Sequence, residues 1–378
     1  MIVARLGPAG PVPRVVRERR RPAGVVVSRR RLAILALALA TPLCPTACHD
    51  QPGVQTAAPP DAAAPPRTLR IAMIAKSASN PSFLASRLGA ENRARALTAK
   101  YGTPIQIVWM TPPQEDAAVQ AQRIAQAVTD RLDAVLISCS DSTKLTPAID
   151  AAVAHGVPVM TFDSDAPGSR RFAYAGVDDF KAGQAVMREL ARVIPRRGKV
   201  AVLSGNPNAP NLRSRVEGIM NEAAHHPDLT MLGPFFHVET PQEATAAVMR
   251  AENAHPDIVG WAMVGGWPLY TQTLLHDLEE RRATKLQVVP KIVSINALPP
   301  QLIYVDQGLA PVLLAQPTYL WGEVGVDTIV AKLLLRQTVP ERIPMDLVRV
   351  TSDTLGSWAR QLHAWGFPDA PEEYLQRP

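Results

Sequence analysis

From Thr68 onward the chain alternates short β-rich apolar runs with amphipathic helical stretches, over and over. That alternation restricts it to layered α/β folds with parallel sheets. The strand candidates are Leu69 to Ala75, Ile105 to Met110, Ala134 to Ser138, Pro158 to Phe162, Lys199 to Leu203, Ile258 to Val264 and Val288 to Ile295. Most are unbroken apolar runs, as expected for strands covered on both faces. Between them, Val119, Ile124 and Val128, and again Val186, Leu190 and Val193, follow the helical period. Helix ends are marked by His155-Gly156-Val157-Pro158 and Pro195-Arg196-Arg197-Gly198. The loops at the carboxyl ends of the strands are where a parallel sheet gathers ligands. These are 76–83, 139–144, 162–167, 204–215, 265–267 and 296–300, rich in Asn, Ser, Asp and Arg.

The first of these loops narrows the chemistry. Residues 76–83 contain no glycine, so backbone N–H groups are not brought up to a phosphate as in dinucleotide or P-loop sites. Side chains make the contacts instead. Asn80 offers a donor and an acceptor and Phe83 a flat apolar face, a pairing suited to a sugar or polyol.

With 378 residues, 47% of them apolar, the chain can bury one large or two medium cores. Its formal charge of +6 suggests nucleic acid until its distribution is read. Residues 1–47 hold nine arginines against one acid, Glu18, and so carry +8, which leaves −2 for the rest. A slightly acidic folded part has no electrostatic footprint for DNA or RNA.

The basic leader reads as an export signal. Arg29 to Arg31 precede the apolar run Leu32 to Ala40, which is too short to span a bilayer comfortably. Ser28-Arg29-Arg30-Arg31-Leu32 resembles a twin-arginine motif, with the general secretory route as the alternative. Pro45-Thr46-Ala47-Cys48 resembles a lipobox, so Cys48 is the lipidation candidate, against simple cleavage at a small residue. The proline- and alanine-rich stretch that follows reads as a semi-extended tether. Cys139 is then the one cysteine in the folded part; no His-containing partner motif accompanies it, and a small buried residue at a strand end is the expectation. His225, His226 and His237 lack ligand-like spacing and are expected at the surface, so no metal site and no cofactor is expected.

Taken in order, Asn80-Pro81-Ser82-Phe83, Pro158 to Asp163, Arg213-Ser214-Arg215-Val216-Glu217-Gly218 and His255-Pro256-Asp257 resemble the type I periplasmic binding proteins of the ribose and galactose group, over about 68–352. The resemblance implies two Rossmann-like α/β lobes with parallel sheets, joined by three hinge crossings near Tyr174–Gly176, Gln316–Thr318 and Pro344–Leu347. The expected organisation is a leader over 1–48, a tether over 49–67, an N-terminal lobe of 68–174 with 317–345, and a C-terminal lobe of 175–316 with 346–366. By the same resemblance Asn80, Asp163, Arg215 and Gln316 supply polar ligand contacts and Phe83 covers a sugar face.

The departures matter too. Ser164 stands where ribose binders often carry Arg, Gly265-Gly266 where an Asn-Asp pair is common, and Asn296 where Asp is frequent, while Trp267 adds an aromatic. Ribose itself is therefore a poor expectation; another monosaccharide, a polyol or a non-sugar fits as well. The implied function is a monomeric, extracytoplasmic solute-binding protein, tied to the membrane if Cys48 is lipidated, that delivers its ligand to an ABC permease. The alternative is a sensory subunit partnering a membrane histidine kinase. An intracellular regulator with these lobes would need a helix-turn-helix where this chain has its leader. An enzyme is disfavoured because no GxGxxG, P-loop, nucleophile elbow or clustered acid-base pair is present.

Overall fold

A computed structural model describes residues 67–284, 288–367 and 369–377. The expected leader, Cys44, Cys48 and, up to residue 66, the tether lie outside the described residues.

The first half runs β1 (Leu69–Ile74), α1 (Pro81–Tyr101), β2 (Ile105–Trp109), α2 (Ala117–Thr129), β3 (Ala134–Ile137), α3 (Ser142–Ala154), β4 (Val159–Phe162) and β5 (Ala173–Gly176). The second runs α4 (Asp179–Val193), β6 (Gly198–Ser204), α5 (Pro210–Ala223), β7 (Leu229–Phe236), α6 (Pro241–Ala254), β8 (Ile258–Met263), α7 (Gln272–Thr284), β9 (Lys291–Ile295), α8 (Leu302–Asp306) and β10 (Val312–Ala315). The chain then returns with α9 (Thr318–Leu333) and β11 (Arg342–Pro344), and ends with β12 (Val348–Val350), α10 (Leu355–Ala364) and a last helical turn, α11 (Glu372–Leu375).

Two six-stranded sheets result, ordered β2-β1-β3-β4-β5-β11 and β7-β6-β8-β9-β10-β12. All pairings are parallel except β10 with β12. The order 2-1-3-4-5 is thus laid down twice, once per lobe, and each copy has its reversal point beside its first strand. The chain changes sheet after β5, after β10 and between β11 and β12, which makes the three-stranded hinge of a two-lobed α/β protein.

Strands β3, β4, β5 and β10 are buried along their whole length, because helices cover both faces. One core cluster fills the second lobe, and two lie on the opposite faces of the first sheet. Within each lobe one helix pair meets backbone to backbone at glycine. A Cβ on Gly322 of α9 would lie 1.9 Å from the Ser86 carbonyl oxygen of α1, and one on Gly183 of α4 would lie 1.9 Å from that of Arg215 in α5. Capping fixes where helices begin: the side chains of Asn80, Asp116, Asp141 and Asp178 accept first-turn N–H groups of α1 to α4.

The expected strands all form, most of them within a residue or so of their expected bounds. The run from Val288 starts its strand late, at Lys291, since Pro290 has no N–H for the ladder. Strand β7 had no clear signature: it is a half-exposed edge strand interrupted by Gly233-Pro234. Cys139 is fully buried after β3, and burial drives its thiol pKa far up, away from nucleophilic chemistry.

Candidate functional site

The loops after β1 and β4 face those after β6, β8, β9 and β10 across the line between the sheets. Asn80, Phe83, Asp163, Arg215, Trp267, Asn296 and Gln316 all line one cavity there. Lys76, Ser82, Asn211, Glu239, Tyr270 and Trp321 also line the wall. The cavity measures about 30 Å³, room for roughly two waters, so in this arrangement the lobes are shut on one another.

Asp163 follows β4 with φ of 57°, a left-handed conformation that Asp tolerates better than most residues and that turns its carboxylate into the cleft. Its Oδ2 accepts from Ser138 Oγ at 2.8 Å and its Oδ1 from Asn211 Nδ2 at 3.2 Å, the latter from the opposite lobe. Arg215 is 2% exposed and fully engaged. It donates to Asp179 Oδ1 at 2.8 Å, the Val264 carbonyl at 3.0 Å and Gln316 Oε1 at 2.8 Å, and lies 3.8 Å from Asp163. Burial raises Asp179 to about 6 although Arg215 opposes the shift.

Gln316, on the hinge after β10, passes the network on by donating to Asn296 Oδ1 at 3.0 Å. Asn296 repeats the device of Asp163, with φ of 79° after β9, and donates to Ser82 Oγ at 3.2 Å across the cleft. Ser82 Oγ also lies 3.3 Å from the Tyr270 hydroxyl. Asn80 lines the cavity, but its Oδ1 accepts from Ser82 N at 3.0 Å as the cap of α1, which leaves the amide NH₂ for other work.

The apolar side is a three-ring cluster. Phe83 meets Phe162 edge-on at 6.4 Å, and Trp321 packs against both at 6.4 and 6.0 Å. The Trp321 indole N–H is buried and has no acceptor among the described residues. Trp267 opens a short turn of helix, and its ring covers Gly265, where any Cβ would lie 2.5 Å from it. His237 is a correction to the surface expectation: it is half-buried, with its ring edge-on to Trp267 at 4.9 Å.

Lys76 was missed as a site residue, and the sequence signal for it was faint: a lysine directly after an apolar strand. It is 2% exposed, and its Nζ donates to Asn211 Oδ1 of the other lobe at 3.2 Å. Burial works against its charge, but Glu239, Glu115 and Asp163 outweigh burial and hold its pKa above the ordinary lysine value. Asn211, Tyr270 and Trp321 carry no local motif and become site residues only through the pairing of the lobes. No metal-holding cluster of His, Cys, Asp and Glu occurs among the described residues.

Chemically, this is a shut polar chamber with amide, carboxylate, guanidinium and ammonium groups on one side and aromatic faces on the other. Such walls suit a small molecule with many hydroxyl groups.

Known proteins share this architecture. Residues 71–336 match the family described as the periplasmic binding protein domain. Over 153 residues the chain is 30% identical to the ribose import binding protein of Bacillus subtilis (strain 168), a match spanning 40% of this chain and 48%, about half, of that relative. It is 24% identical over 243 residues to the D-ribose/D-allose-binding protein of Pseudomonas aeruginosa, covering 62% of this chain and 70% of the relative. Among solved structures, a solute binding protein from Burkholderia graminis C4D1M in complex with D-arabinose superposes with a TM-score of 0.69 at 23% identity, covering 76% of this chain and 96% of that one. One from Agrobacterium vitis with bound D-fucose gives 0.69 at 22%, covering 78% and 99%. These two show likeness of fold, and the family match carries membership. With that match spanning both lobes and the strand order repeated in each, the chain belongs to the periplasmic binding protein family in its type I form.

Proposed function

We propose that this protein captures a small sugar or polyol between its lobes, outside the cytoplasm, and delivers it to an ABC transporter. The observation that carries the reading is the chain of side chains at strand ends of both sheets, in which Asn211, Asp163, Arg215, Gln316, Asn296 and Ser82 are hydrogen-bonded or ion-paired in succession. A bound hydroxylated ligand takes over these contacts, and the aromatic cluster takes its C–H faces. The named sugars of the relatives and structural neighbours, ribose, allose, arabinose and fucose, point to the same class. The moving bodies are 68–174 with 317–345 and 175–316 with 346–366, turning about the three crossings. Binding without turnover follows from a chamber whose carboxylates are engaged rather than poised on a reacting bond. Among the described residues no helix is long and apolar enough to cross a membrane; any membrane tie in this reading is through lipidation of Cys48.

The test is a thermal-shift screen of the chain against pentoses, hexoses, pentitols and inositols, since a ligand that binds only the folded form raises its stability by mass action. At least one neutral polyhydroxy compound should raise the melting temperature. A panel on which none of these compounds raises the melting temperature would refute the reading.

A further inference from the structure

One pair of carboxyl groups, Glu239 in the chamber wall and Glu115 behind it, bridges the lobes outside the succession of polar contacts described above. Glu115 stands on the loop before α2, in the first lobe, and Glu239 on the loop before α6, in the second. Asn206, just past β6, holds both carboxyl groups. Its backbone N–H donates to Glu239 Oε1 at 3.1 Å, and its Nδ2 donates to Glu115 Oε1 at 2.9 Å and to the Ser140 carbonyl at 3.3 Å. One asparagine thus draws a carboxyl group from each lobe to the same spot. Two carboxylates so placed repel each other, and a proton on one of them relieves the repulsion.

The neighbouring charges do not remove the need for that proton. Lys76, after β1, is the one cation drawn on by Glu239, Glu115 and Asp163 together. Arg215 of α5 is held by Asp179 and Gln316 and lies 3.8 Å from Asp163, so its charge serves that side of the chamber. His237, two residues upstream, is turned against Trp267 and its pKa is lowered by burial; Glu243 of α6 acts on it from the other side. With Arg215 beside Asp163, Lys76 is left as one ammonium facing the two glutamates, so one of that pair is better neutral.

We propose that closure of this protein is proton-linked: shutting the lobes brings Glu239 up to Glu115 on Asn206 at the rim of the cleft and takes up one proton there, on Glu239, and opening releases it. The inference rests on the reading of two lobes that open and close on a ligand. Burial, with Glu115 adding to it and Lys76 opposing, raises Glu239 to about 8 in the closed form, from an ordinary value of 4.5. A group whose pKa is higher in the closed state favours closure most below its open-state value, and that help is lost as the pH climbs to the closed-state value. Closure, and with it ligand affinity, therefore weakens by up to about tenfold per pH unit across that window and levels off above it.

Small-angle scattering of the whole chain without any sugar tests this directly. The wild type should be compact near about pH 6 and expand by about pH 9, where that proton is lost. Glu239→Gln, whose amide donates to Glu115 without titrating, should remain compact at both, and Glu115→Gln serves as the second variant with the same expectation. A wild type whose radius of gyration is constant over this range, or variants that expand just as it does, would overturn the proposal. Because no sugar is present, a failed ligand screen would remove the transport reading and leave this result standing, and the reverse holds equally.

Discussion

At the scale of single residues, the site is a set of short polar side chains held by strained or buried positions. Asp163 needs its left-handed backbone, so alanine there would mix a strain cost with the loss of charge. Asp163→Asn is the cleaner change. It keeps a residue that tolerates φ of 57° and removes the charge, and should cost about 1.5–3 kcal/mol of ligand affinity, roughly ten- to hundredfold, with little change in melting temperature. Calorimetric titration with the sugar found by screening reads this out; unchanged affinity would take Asp163 out of the site. Lys76→Met should weaken binding by a similar factor of roughly ten to a hundred, because it removes a buried charged donor and leaves Asp163 and Glu239 without their cation. Asn80, Phe83, Asp163, Arg215, Trp267, Asn296 and Gln316 were legible because each lies at the carboxyl end of an apolar run or matches a motif in order. Lys76, Asn211 and Tyr270 were not, since what makes each a wall of the chamber is a partner in the other lobe, at a separation of 135 residues for Lys76 with Asn211 and 188 for Ser82 with Tyr270.

Elements set the positions those residues take. Helix α5 carries Asn211 and Arg215, and its backbone rests on Gly183 of α4, so the helix pair aims the guanidinium at Asp179 and Gln316. Gly183→Ala should push the helices apart, destabilise the protein by about 1–3 kcal/mol and weaken ligand binding as Arg215 shifts. Gly168→Ala is the matched control, since a Cβ there meets nothing within 4 Å. Equal melting temperatures for the two variants would show that the close approach at Gly183 carries no such weight. Long apolar strands and periodic helices were read from the sequence because burial on both faces leaves an unbroken apolar run. Strand β7 escaped because an edge strand is buried on one side only and Gly233-Pro234 breaks its pattern; β11 and β12, of three residues each, are too short to show a period.

For the whole molecule, the same strand order laid down twice places two sets of strand-end loops face to face, and three crossings join the two lobes. The closed arrangement is held by direct bonds between lobes, Lys76 to Asn211, Asn211 to Asp163 and Asn296 to Ser82, around a cavity of about 30 Å³. A ligand replaces such bonds with its own and shifts the balance toward the shut form by its preference for that form. The most direct measurement is a crystal structure of the chain with the sugar or polyol that raises its melting temperature. The account predicts one molecule between the sheets, with hydroxyl groups on Asp163 and Arg215 and a C–H face on Phe83 or Trp267. A ligand bound to one lobe alone, or outside the cleft, would contradict it.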